Sequence, residues 1–160
     1  MPKNNSKFLK PDPFIMNEDT VNYSVFNYLR QKGFCELKCL TGKKHGIDVE
    51  GKKNEWTIWV ESKGSTGNDA SGDMVFDSGQ IKTHADRQIM KLMEYLNVVD
   101  ENVLLVLANP DIPRIRGRIA KIDKILDQIG LIQFWVQEDQ TVQIEYPEQL
   151  QSVLVDLEIM

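Results

Sequence analysis

Cysteine is scarce in this chain of 160 residues: only Cys35 and Cys39 are present. They lie four apart in one predicted strand, share a face along it, and are badly placed to bridge. They read as free thiols in a reducing cytoplasm. Histidine is as scarce, and His45 and His84 form no zinc spacing with the cysteines. The longest apolar run, Val103 to Ala108, is six residues and too short to span a bilayer. Met1 to Lys10 has no apolar segment of the secretory kind, so no secretory signal is visible, and with no spanning run either no membrane partner is expected. No Walker-type glycine loop occurs, which argues against a nucleotide cofactor. No G-x-S-x-G elbow occurs, which argues against a Ser-His-Asp hydrolase. Repeats and low-complexity tracts are absent, and a charged fraction of 27% excludes global disorder.

Basic residues are also missing from the C-terminal part. The last is Lys124, and seven acids follow it. Up to Lys124 the chain carries a net +2, and beyond it −7. A weakly basic body with an acidic tail is compatible with nucleic acid on one face; such tails also simply confer solubility.

What is present is a mixed α/β pattern in one domain-sized chain. Residues 1–16 read as a flexible N-terminal arm, followed by a single domain over 17–160. Asn17 can cap a helix over 18–31 with Val21, Val25, Tyr28 and Leu29 on one face. Strands are expected at 34–40, 47–50 and 55–63, the last two joined by the polar turn 51–54. The polar stretch 64–79 is long enough to be functional or disordered, and its acids lack the spacing of a calcium loop. A helix over 80–97 carries the stripe Ile81, Ala85, Ile89, Leu92, Met93 and Leu96. A strand at 103–108 is apolar enough to be buried on both faces. A helix over 115–129, strands at 131–136 and 142–146 and a last helix over 148–157 complete the order. That order argues for a mixed central sheet with helices on both sides.

The segments around residues 48 and 61 carry the chemistry. With the turn centred between Lys53 and Asn54, Ile47 faces Val60 and Val49 faces Ile58, and these apolar pairs occupy one side of the hairpin. Asp48 then lies opposite Trp59, with Glu61 as its diagonal neighbour at roughly 7–8 Å and Lys63 one period further on the same face. Two carboxylates so placed can share a hard divalent cation such as Mg²⁺. Such an ion polarises a phosphoryl oxygen and acidifies a water. Lys63 can orient that water or offset charge in the transition state. Without metal the two acids repel and one tends to hold a proton.

Gly46-Ile47-Asp48 in one strand and Glu61-Ser62-Lys63 in the next resemble the PD-(D/E)XK nuclease superfamily, the restriction-endonuclease-like fold. The likeness spans about residues 17 to 136 by order of elements. Ile47 stands where the family name has proline. The resemblance implies a mixed central sheet flanked by helices and Mg²⁺-dependent (or Mn²⁺-dependent) cleavage of phosphodiester bonds, usually of DNA. Asp48 and Glu61 would be metal ligands, and Lys63 the water-orienting or charge-stabilising residue. It also implies an extra acid on the first helix, for which Glu18 is the candidate, although an acid at a helix start also complements the dipole. Gln80 and His84 look like the Gln-x-x-x-Tyr element of the RecB-like branch, with His for Tyr. Homodimers are common among such small nucleases.

A phosphate track is expected on the helix from 114 onward. Arg114, Arg118 and Lys121 share one row there, with Arg116 and Lys124 beside it, and Lys43 and Lys44 extend the track near the hairpin. Two rivals remain at this point. One is a catalytically silent nucleic-acid-binding or regulatory module on the same scaffold, which needs the basic helix but not the acids. The other is a small protein-interaction domain, favoured by the acidic C-terminal part.

Overall fold

The computed structural model describes residues 1–42 and 45–160. Strands β1 (Lys3–Asn4) and β5 (Met74–Val75) form a small antiparallel ribbon. The main sheet has six strands: β2 (Cys35–Cys39), β3 (Val49–Lys53), β4 (Trp56–Ser62), β6 (Val103–Pro110), β7 (Ile132–Val136) and β8 (Val142–Glu145), hydrogen-bonded in that order. The β4–β6 and β6–β7 pairs are parallel and the others antiparallel, so the sheet is mixed. The helices are α1 (Glu18–Gln31), α2 (Ser78–Leu96), α3 (Pro113–Ala120), α4 (Asp123–Gln128) and α5 (Gln151–Asp156). No helix among the described residues is long and apolar enough to cross a membrane.

Helices cover both faces of the sheet. On one, Val21, Val25 and Leu29 of α1 pack against Val49, Ile58, Val60, Val106 and Phe134. On the other, Ile81, Ala85 and Leu92 of α2 and Ile115 and Ile119 of α3 pack against Leu105, Leu107 and Trp135. Along β6 the side chains alternate between the two clusters, which is why Val103–Ala108 reads as an unbroken apolar run. Each fully buried side chain of this size adds about 1.5–3 kcal/mol.

Four expectations meet a different local structure. The β3–β4 ladder pairs Val49 with Val60 and Gly51 with Ile58, two residues away from the expected register. The turn falls at Asn54–Glu55 instead, where Asn54 takes φ +55°, a conformation asparagine tolerates. Because side chains alternate with period two, a two-residue slip leaves every side chain on its expected face. The helix expected over 115–129 is broken between α3 and α4 at Ile122, which has φ −130° and ψ 12°. Gly117 and the β-branched Ile119 and Ile122 make this stretch weak for a continuous helix. Helix α2 starts at Ser78, capped by Asp77.

The fourth difference concerns the arm. Besides the β1–β5 ribbon, Asn5 N–H donates to the Asp73 carbonyl (2.7 Å) and Ser6 N–H to Asp73 Oδ2 (3.1 Å). Met16 is buried in the α1-side core. The arm is therefore tied to the 64–77 segment.

Candidate active site

Strand β4 runs toward the same end of the sheet from which β3 begins. Continuing the β3–β4 register by one residue sets Asp48 opposite Glu61, closer than the diagonal expected. Ser62 N–H donates to Asp48 Oδ2 at 2.8 Å and fixes that carboxylate beside β4. Both acids are withdrawn from water, Asp48 at 8% and Glu61 at 3% exposure.

Glu61 is held from behind. Gln88 of α2 donates through Nε2 to the Glu61 carbonyl (2.9 Å) and the Ala108 carbonyl (3.2 Å). Asn109 Nδ2 donates in turn to Gln88 Oε1 at 3.2 Å. The Glu61 side chain is poorly satisfied by comparison. Its Oε2 is fully enclosed and no donor reaches it among the described residues, while Oε1 has only Lys91 Nζ at 3.8 Å. Burial, followed by the Asp48 charge, pushes the Glu61 carboxyl up to about 8. Asp48 is also raised, by burial first, against the Ser62 N–H and the Lys63 and Lys91 charges. Two carboxylates this close repel when both are charged, which favours the protonated form of one of them.

Glu18 joins this group through a close approach of backbone. A Cβ on Gly64 would stand 2.5 Å from Glu18 N and 2.7 Å from the Asn17 carbonyl carbon. Only glycine lets the start of α1 dock where β4 ends. Asn17 caps that start, its side chain accepting from Thr20 N–H at 2.8 Å. Burial and then Asp48 raise the Glu18 carboxyl, while Lys63 and Lys91 oppose them. Glu18 therefore belongs to the same electrostatic cluster as Asp48 and Glu61. Among the described residues, no three His, Cys, Asp or Glu side chains are grouped closely enough to hold a metal ion as they stand. The donors that fit one are the facing pair Asp48 and Glu61, and the undonated Glu61 Oε2 is the kind of oxygen a hard cation satisfies.

Lys63 follows Glu61 on the same face, its N–H donating to the Ala108 carbonyl at 3.0 Å. Its charge is felt by Asp48, Glu61, Glu18 and His84. His84 lines a small cavity with Lys63, Gly64 and Asn109. Its ring stacks on Phe76 at 4.4 Å, and burial, then Lys63 and Arg87, lower its pKa.

Gln80 has a different occupation. Asp77 and Gln80 form a reciprocal capping box: Gln80 N–H donates to Asp77 Oδ1 (2.8 Å) and Asp77 N–H to Gln80 Oε1 (2.9 Å). Its side chain is spent on the helix start. The signal was present in Asp77-Ser78-Gly79-Gln80, an N-cap acid three residues before a glutamine.

The expected phosphate track is largely absorbed by the fold. Arg114 grips buried Asp12 through two bonds of 2.7 and 2.6 Å, donates to the Phe76 carbonyl and lies over the Phe8 ring. Arg116 is engaged by Asp111 and Glu145 and lies over Trp135. Arg118 pairs with Asp86 at 2.8 Å. The arginines in a first helical turn are thus explained by acids packed against that helix from other elements. Lys121 and Lys124 are exposed. Lys43 and Lys44 lie outside the described residues.

Lys91 and Gln88 are the site residues that sequence reasoning missed. Gln88 is completely buried in line with Ile81, Ala85 and Leu92. A polar residue at that point of an apolar stripe is a visible signal, because a buried amide needs partners. No protein-family model, no curated protein and no solved structure matches the chain.

Proposed function

We propose that this protein is a divalent-metal-dependent nuclease that hydrolyses phosphodiester bonds of DNA. Its α/β architecture would be the restriction-endonuclease-like one. The observation that carries this reading is the Asp48–Glu61 pair, two carboxylates opposed across neighbouring strands, out of water, with no arginine between them. A fold gains nothing in stability from such a pair. Asp48 and Glu61 would hold Mg²⁺ or Mn²⁺, with Glu18 as the nearby third acid. When bound, such an ion polarises a phosphoryl oxygen and acidifies an attacking water.

The chain's own groups supply the rest. Ser62 N–H keeps Asp48 in place, and Gln88 keeps the Glu61 backbone in place, so the two acids keep their spacing. Lys63 brings positive charge to the face on which negative charge grows as phosphorus is attacked. The N-terminal end of the 14-residue α1 adds a favourable dipole on the Glu18 side. His84 borders the Lys63 cavity and contributes shape there.

The rival silent nucleic-acid-binding module drew its support from the basic helix. The internal pairing of Arg114, Arg116 and Arg118 removes most of that support. The test is incubation with linear, circular, branched and single-stranded DNA, with Mg²⁺ or Mn²⁺ and with a chelator. Cleavage is expected with metal and none with chelator. Asp48→Ala should lower it on the order of 1,000-fold while the protein stays folded. Absence of cleavage under every metal condition refutes the enzyme.

A further inference from the structure

Lys91 projects from the middle of α2 toward the acid pair. Its Nζ stands 3.8 Å from Glu61 Oε1 and donates to the Gly46 carbonyl at 3.2 Å. The Lys91 side chain is 39% exposed and that of Glu61 only 4%, so the lysine reaches the pair from the open side. Its hold on Glu61 is loose, longer than a hydrogen bond. One turn on, the Tyr95 ring offers a second resting place, 6.0 Å from Nζ.

We propose that Lys91 is a built-in stand-in for the divalent cation: its ammonium offsets the charge of the acid pair in the metal-free protein and gives way when metal binds. The proposal rests on the reading of Asp48 and Glu61 as metal ligands. Its basis is geometric. A cation bound to Glu61 at about 2.1 Å would lie within a few ångströms of an ammonium already beside the same carboxylate, and like charges there repel. A flexible four-carbon stem on an exposed side chain can move where a buried arginine cannot. Among the described residues Lys63 also lies near these acids, but it comes from the strand that carries Glu61, whereas Lys91 comes from the covering helix. Metal must therefore compete with Lys91, which makes it a positioning residue that sets metal affinity.

The test is calorimetric titration of Mn²⁺ and Mg²⁺ into the full chain, as wild type, Lys91→Met and Lys91→Arg, with a thermal melt of each. The Met variant should bind metal roughly three- to tenfold more tightly, because the competing charge is gone. The Arg variant, which keeps the charge, should bind like the wild type. Lys91→Gln serves the same purpose should the Met variant not fold. A Met or Gln variant that binds no tighter than the wild type overturns the stand-in role and leaves the metal reading intact. Tighter binding by a protein that cuts no DNA supports the stand-in role and removes the nuclease reading. If no form binds metal, both fall.

Discussion

Asp12 and Glu61 are almost equally withdrawn from water, at 5% and 3% exposure, but the fold treats them in opposite ways. Asp12 meets a two-pronged Arg114, and its N–H donates to Asn5 Oδ1 at 2.8 Å. Glu61 meets another acid, a distant lysine and, at Oε2, nothing. The first arrangement fastens the N-terminal arm to α3, and the charges are consumed in doing so. The second leaves charge unspent at an open end of the sheet. Burial of a carboxylate therefore says little by itself; what distinguishes a fastening from a reactive site is whether a matched cation of the same chain is already seated on it.

The sharpest way to break that comparison is to unseat the arginine. Arg114→Met should destabilise the protein by about 3–5 kcal/mol in urea unfolding, because Asp12 is left buried and unpaired. A loss under about 1 kcal/mol would mean that the two acids are less different than their surroundings suggest.

Removing the charge at the other site should act in the reverse direction. Glu61 titrates near 8 in the folded chain against an ordinary value of 4.5, so its protonated form is favoured by folding. The stability this group provides is complete below about pH 4.5 and is lost as pH rises through 8. Thermal melts of the metal-free protein should fall over that window. Glu61→Gln should flatten the fall and raise the melting temperature at pH 8.5. A melt that rises toward pH 8.5 in the wild type would contradict the raised Glu61 carboxyl.

Gly64→Ala tests how the third acid is brought in. The new methyl group would collide with backbone of Asn17 and Glu18, so α1 must shift away from the end of β4. A cost of about 1–3 kcal/mol is expected, with cleavage reduced beyond what the melt explains. Gln80→Ala, at the other extreme, removes half of a capping box. It should cost about 0.5–1 kcal/mol and leave cleavage per folded molecule unchanged. A selective loss of cleavage would restore Gln80 to the site.

Most of the architecture is legible in the sequence because periodicity survives small errors. Reading the β3–β4 turn one position early shifted the pairing by two, yet Asp48 and Glu61 stayed on a common face. The apolar positions Ile115, Ile119 and Leu126 are buried although their helix is broken. What was not legible depends on which side chains find each other across the chain. Arg114 and Asp12 are 102 residues apart, and no local pattern joins them. Lys91 looks like one more exposed lysine on α2 until that helix is laid across β4. The attachment of the arm was hidden for the same reason: its partners, the strand at residues 74–75, the Asp73 side chain and Arg114, lie far away in sequence.

The Gln88 amide has a mechanical implication. By bonding carbonyls of β4 and β6 at once, and being bonded by Asn109, it rivets the helix to the floor beneath the acids. Helix α2 and that floor are thereby tied together. A polymer of the kind proposed as substrate would then have to be accommodated by the walls: the lysine stem on the rim and the connection from Gly64 to Asp77 that the arm holds down.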